Sequence, residues 1–119
     1  MPHVSHVEWR VTDLDRSIAF FEALFGWRFA RHSTHYRIAF PDQGPAVGLL
    51  ETREVRPSDS TLIHIRVDDL DAYLRRARGL GAPLATPRTA VPGHGWYAQV
   101  VDPDGNIVGL FEAEAETSA

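Results

Sequence analysis

The sequence predicts an α+β fold built from two copies of one βαβββ unit, and three observations carry that prediction. Short motifs recur in the same order in both halves, and apolar and polar residues alternate over strand-length stretches. A helix-spaced apolar stripe follows the first strand. A chain of 119 residues suits a single domain, read here as 1–119, with a first module over about 4–51 and a second over about 60–112.

From Val4 to Val11 the residues divide between two faces, Val4, His6, Glu8 and Arg10 on one and Ser5, Val7, Trp9 and Val11 on the other, as a strand requires. Thr12 and Asp13 offer an N-cap before Leu14, Ile18, Phe21, Leu24 and Phe25, whose spacing makes one apolar helix face ending at Gly26. Trp27 to Arg31 and His35 to Phe40 read as the next strands. Pro41 to Gly44 reads as a turn and Ala46 to Glu51 as the fourth strand.

The second half repeats the first. Val11-Thr12-Asp13-Leu14-Asp15 is answered by Val67-Asp68-Asp69-Leu70-Asp71, and Val47-Gly48-Leu49-Leu50-Glu51 by Val108-Gly109-Leu110-Phe111-Glu112. The turn at Pro41–Gly44 has its counterpart at Asp102–Gly105, Gly26 at Gly81 and Tyr36 at Tyr97. Collinear matches at the start, middle and end of each half point to a structural repeat, joined by a polar linker from Thr52 to Asp59. One four-stranded unit cannot bury both faces of its sheet, so two units are expected to pair, helices outside, around a pocket. The tail from Ala113 to Ala119 is expected to fray.

Composition narrows the function. A net charge of −4, with 12 basic against 16 acidic residues and no basic run, leaves no footprint for a phosphate backbone, so nucleic acid is not an expected partner. The absence of cysteine rules out disulfides and thiolate metal sites, leaving His and carboxylates as metal ligands. The opening residues do not read as a secretion signal, and no apolar run has the length of a membrane span. A cytoplasmic protein without a membrane partner is expected.

The run from His6 to Trp27, the motif Val67–Asp71 and the closing stretch Asp102-Pro103-Asp104-Gly105-Asn106-Ile107-Val108-Gly109-Leu110-Phe111-Glu112 resemble the vicinal oxygen chelate superfamily, the glyoxalase/bleomycin resistance/dioxygenase group. The resemblance implies two βαβββ modules pairing into an incomplete mixed β-barrel, often in a homodimer, with a small molecule or divalent metal inside. In the metal-dependent glyoxalase branch, the ligands come from the first and last strands of each module. Those four positions fall here on His6, Gly48, Leu62 and Gly109, so one ligand of four is kept. The pattern is closer to members that open with His-x-Glu and end in Gly-Leu-Phe.

Strand alternation puts His6, Glu8 and Arg10 on one face and Leu62, His64 and Arg66 on another, and the repeat maps Glu8 onto His64 and Arg10 onto Arg66. A carboxylate beside an imidazole suits a general base, with Arg66 or Arg10 steadying an anion. The same pair also suits a structural hydrogen bond between modules. His6, Glu8 and His64 alternatively form a two-histidine, one-carboxylate metal triad. Gly48 and Gly109, inside strands, mark close approach of a ligand or of a neighbouring backbone. Leu50, Leu62, Ile107 and Phe111 are expected to wall the pocket, and Trp9, Trp27 and Trp96 to serve the core or a dimer interface. Arg37 is a further candidate for a substrate carboxylate if it faces inward, or equally for an ion pair with Asp or Glu at the rim, and His3, His32, His35 and His94 are read as surface residues. The segment from Arg88 to Trp96 reads as a hairpin connection or a mobile loop at the pocket mouth.

The expected function is binding of a small organic molecule, with acid/base lyase or isomerase chemistry by Glu8, His64 and Arg66. His6, Arg10, Gly48, Leu50, Leu62, Gly109 and Phe111 are expected to line the site. The alternatives are a ligand-sequestering protein of the antibiotic-resistance kind, an interaction module with a vestigial pocket, and a metal-dependent enzyme using His6, His64 and Glu8. No cofactor is expected beyond such a divalent ion.

Overall fold

Asp13 and Asp69 start the two helices in the same way. Each has extended backbone and accepts a hydrogen bond from the amide three residues on, so α1 runs Leu14–Phe25 and α2 runs Leu70–Gly79. Gly26, at a φ of 77°, ends α1 in the left-handed conformation that glycine adopts without a Cβ clash, and Gly81 follows α2 at 80°. In this computed structural model residues 4, 6–56 and 62–115 are described. Expectations that fall on His3, Ser5, linker residues 57–59, the start of the second module at residue 60 and the tail from 116 lie outside them.

The first module is β1 (His6–Val11), α1, β2 (Phe29–Ser33), β3 (Tyr36–Ala39) and β4 (Ala46–Glu51). The second is β5 (Ile63–Arg66), α2, β6 (Leu84–Val91), β7 (Gly95–Val101) and β8 (Ile107–Ala113). Each forms its own four-stranded open sheet, in the orders β1-β4-β3-β2 and β5-β8-β7-β6. First and last strands pair in parallel, which needs the helical crossover, and the others pair antiparallel through short turns. The α+β class and the two βαβββ modules are those the repeat predicts.

Alternation decides which face each helix covers. In the first module Trp9, Val11, Val47 and Leu49 are buried, and Phe21 of α1 stacks on Trp9 with ring centroids 5.0 Å apart. In the second, Val67, Ala98, Val100, Val108 and Leu110 are buried with Leu70 and Ala77 of α2. Each large side chain so removed from water contributes about 1.5–3 kcal/mol. Among the tryptophans, Trp9 is buried, while Trp27 and Trp96 are half-buried.

Some boundaries differ from expectation. Trp27 stacks on Phe25 at 4.6 Å and continues the aromatic cluster of α1, so β2 begins only at Phe29. Val4 precedes β1 rather than opening it. Strands β6 and β7 claim most of the segment from Arg88 to Trp96 and leave residues 92–94 as a hairpin connection. The guanidinium of Arg88 lies 4.8 Å from the Trp96 ring centre and 3.2 Å from Asp71.

Candidate functional site

The face of each sheet opposite its helix carries the expected site residues. In the first module Glu8 stands beside Gly48 across β1 and β4, and Ile38 stands on the other side of Gly48. His6, Arg10 and Leu50 share that face by alternation, and Tyr36 joins it because it is registered with Leu50. The Tyr36 hydroxyl lies 2.6 Å from His6 Nε2 and also hydrogen-bonds Glu8. With Glu8 as a carboxylate, one arrangement satisfies both contacts: the hydroxyl donates to Glu8 and accepts from His6 Nε2–H. Burial, the Glu8 hydrogen bond and the Glu8 charge, in that order, push the phenol up to about 12. Tyr36 therefore holds its proton at neutral pH.

Gly48 makes this cluster possible. A Cβ there would collide with the Tyr36 hydroxyl and come within 2.9 Å of His6 Nε2. The space a side chain at position 48 would need is thus filled by Tyr36 and His6.

The second module uses the same positions differently. His64 stands beside Gly109 across β5 and β8, with Gln99 on the other side of Gly109 and Tyr97 registered with Phe111. The imidazole lies over Gly109, where a Cβ would come within 2.5 Å of its Cγ and Cδ2. Thr86 donates to Gln99 Oε1 at 2.7 Å, which turns the amide so that Gln99 Nε2 donates to His64 Nε2 at 3.3 Å. His64 is then the Nδ1–H tautomer. Its ring meets Tyr97 edge to face at 5.7 Å. Desolvation lowers its pKa from the ordinary 6.5, so the ring is neutral at pH 7.

Leu62, His64, Val91, Tyr97, Gln99 and Phe111 together line an open concavity of about 400 Å³. Sequence reasoning named Leu62, His64 and Phe111 for it and missed Val91, Gln99 and Tyr97. Tyr36 and Tyr97 were visible as equivalent residues of the repeat, but only their registers with Leu50 and Phe111 bring them to this face. Ile107 is on the same face of β8 without joining the concavity. Arg66 is exposed and registered with Phe111. Arg37 faces the other way from Tyr36 and donates to the backbone oxygens of Ser33 and Tyr36, which occupies the guanidinium expected for a substrate. His35, exposed as expected, is tied to Glu51 at 2.8 Å.

The glyoxalase-type metal set does not fit these residues. Gly48, Leu62 and Gly109 offer no side-chain donor, and Tyr36, His6 and His64 fill the space over the two glycines. Among the described residues no three His, Asp or Glu side chains gather as a metal site. No helix of these residues is long and apolar enough to cross a membrane.

The order βαβββ twice over, each sheet closing a helix-covered core and baring a polar and aromatic face, matches a known family. The family model of the Glyoxalase/Bleomycin resistance protein/Dioxygenase superfamily matches residues 3–110, and the chain belongs to that superfamily. No match was found among curated proteins. Among solved structures, the fosfomycin resistance protein FosX from Listeria monocytogenes is similar, with a TM-score of 0.80 and 20% identity over 96% of this chain and 95% of that one. A mutant of that protein, in complex with Mn(II) and 1S,2S-dihydroxypropylphosphonic acid, also has a TM-score of 0.80, at 21% identity over 98% and 94%. An antibiotic binding protein from a Streptomyces species has a TM-score of 0.75 and 24% identity over 96% and 98%. At these identities the likeness concerns the fold.

Proposed function

We propose that the chain binds a small organic molecule, apolar in body and carrying a hydrogen-bond acceptor, against the open face of the second module. The observation that carries this reading is the concavity of about 400 Å³ in which Leu62, Val91, Tyr97 and Phe111 surround a neutral His64 held by Gln99. That volume lies within the roughly 300–1,000 Å³ usual for small-molecule sites. The walls desolvate an apolar ligand, and the Nδ1–H of His64, left over once Nε2 accepts from Gln99, supplies one donor. The fold it shares with an antibiotic binding protein and a fosfomycin resistance protein agrees with a ligand-holding role. On this reading Leu62, His64 and Phe111 contact the ligand, and Gly109 leaves room for the imidazole.

The test is thermal melting against a panel of small organic molecules. A ligand that raises the midpoint of the wild type and leaves His64→Ala and Phe111→Ala unshifted supports the site. One that raises all three equally places binding elsewhere.

A second reading is acid/base turnover at the same face, with His64 moving the proton and Arg66, registered with Phe111, steadying the anion. The base is then Nε2, so this reading requires the substrate to displace the Gln99 amide from it. Once a ligand is in hand, Arg66→Gln separates the two readings: an enzyme loses turnover at little changed affinity, and a binder has no turnover to lose.

A further inference from the structure

The helix-covered side of the second module bears a second concavity, of about 440 Å³, lined by Leu74, Arg75 and Arg78 of α2, by Ala82, and by Leu84 and Val100 of β6 and β7. Leu84 and Val100 are registered across the two strands and form an apolar floor, and Leu84 is 57% exposed. The rim is cationic. Arg75 and Arg78 stand one helical turn apart, where like charges repel, and among the described residues neither guanidinium makes an ion pair or hydrogen bond. Their neighbours are satisfied: Arg76 lies 4.6 Å from the Tyr73 ring centre, and Arg88 is held by Asp71 and Trp96. The carbonyl end of α2 favours a cation at Arg78 but offers no reason for an apolar trough beside it.

The geometry points to a binding site for a small amphipathic anion, an aliphatic or aromatic carboxylate. Arg75 and Arg78 receive the carboxylate, and Leu74, Ala82, Leu84 and Val100 cover the hydrocarbon. The fork of a guanidinium matches the two oxygens of a carboxylate, an anion between the two arginines relieves their repulsion, and the exposed leucine gains cover. This site is built by different residues from those around His64, so the two stand or fall separately.

Octanoate is the probe, titrated into the isotopically labelled full chain while backbone amide shifts are followed, with octanol as the neutral counterpart and acetate as the anion without a tail. Saturable shifts are expected at Leu74, Arg78 and Leu84, with weaker binding of octanol and none of acetate. Arg75→Gln with Arg78→Gln lowers the octanoate affinity about tenfold. Leu84→Glu abolishes binding, and Arg53→Gln, at an exposed arginine of the first module, leaves it unchanged. All these positions are solvent-facing, so melting midpoints equal to wild type check the fold of the variants. Affinity unaltered in the double arginine variant, shifts confined to the His64 face, or no saturation overturns the proposal.

Discussion

Tyr36 and His6 meet at 2.6 Å across β4, because the strand between them carries a glycine where their side chains converge. The equivalent glycine of the second module serves His64 in the same way. In both modules, then, a glycine of the last strand gives its space to the seating of an aromatic or imidazole ring.

The two glycines differ in what a methyl group would do. At Gly48 the obstacle is the far end of Tyr36, which can swing aside, whereas at Gly109 it is the base of the His64 ring and the Ile63 carbonyl at 2.7 Å. Gly48→Ala is expected to leave the melting midpoint nearly unchanged while breaking the Tyr36 contact. Gly109→Ala is expected to cost about 1–3 kcal/mol of stability and to displace His64. Denaturant unfolding of the two variants checks the contrast.

Tyr36 gives a spectroscopic signature. Ultraviolet titration of the phenols should show one tyrosine ionising at about 12, and Glu8→Gln should bring it back towards 10. The folded value is raised, so its stabilising contribution is complete below pH 10 and is lost as pH rises through about 12. Tyr36→Phe should remove that part of the alkaline slope.

His64 behaves in the opposite sense. Its folded pKa is lowered by desolvation, so its contribution is present above the unfolded value of 6.5 and is lost as pH falls through the folded one. Imidazole proton shifts should place its titration below that of free histidine. Ligand affinity at the second-module face should be flat above neutrality and fall on acidification.

Asp102 closes the turn between β7 and β8. Its side chain accepts from the amides of Asp104 and Asn106, at 2.9 and 2.7 Å, and from the Asn106 side chain at 3.0 Å, all close to or within the core. Asp102→Ala leaves those donors unpaired and is expected to cost roughly 2–3 kcal/mol, a clear fall in melting midpoint.

The repeat, the capping aspartates and the first helix could be read from local chemistry. Asp13, Asp69 and Gly26 act within a few residues of themselves, and motifs in the two halves correspond without knowledge of the strand order. The site was half legible for the same reason. Alternation along β1 and β5 is local and grouped His6 with Glu8 and Leu62 with His64. Tyr36 reaches His6, and Gln99 reaches His64, only because β3 and β7 are inner strands in a particular register, and nothing near those residues encodes that. Arg37, open from the sequence between a substrate carboxylate and a rim carboxylate, goes to its neighbours' carbonyls, which the β2–β3 turn brings close.

On the proposed function, the second-module face takes an organic ligand without a glyoxalase-type metal. The most direct measurement is the melting midpoint of metal-stripped protein across small organic molecules, with and without Mn(II). A ligand at about 100 times its Kd adds about 2.7 kcal/mol, a shift of several degrees. Such a shift is expected from at least one organic molecule in the absence of metal, lost in His64→Ala. A midpoint raised by Mn(II) alone and returned to baseline by His6→Ala, or organic ligands that act only when the metal is present, would contradict it.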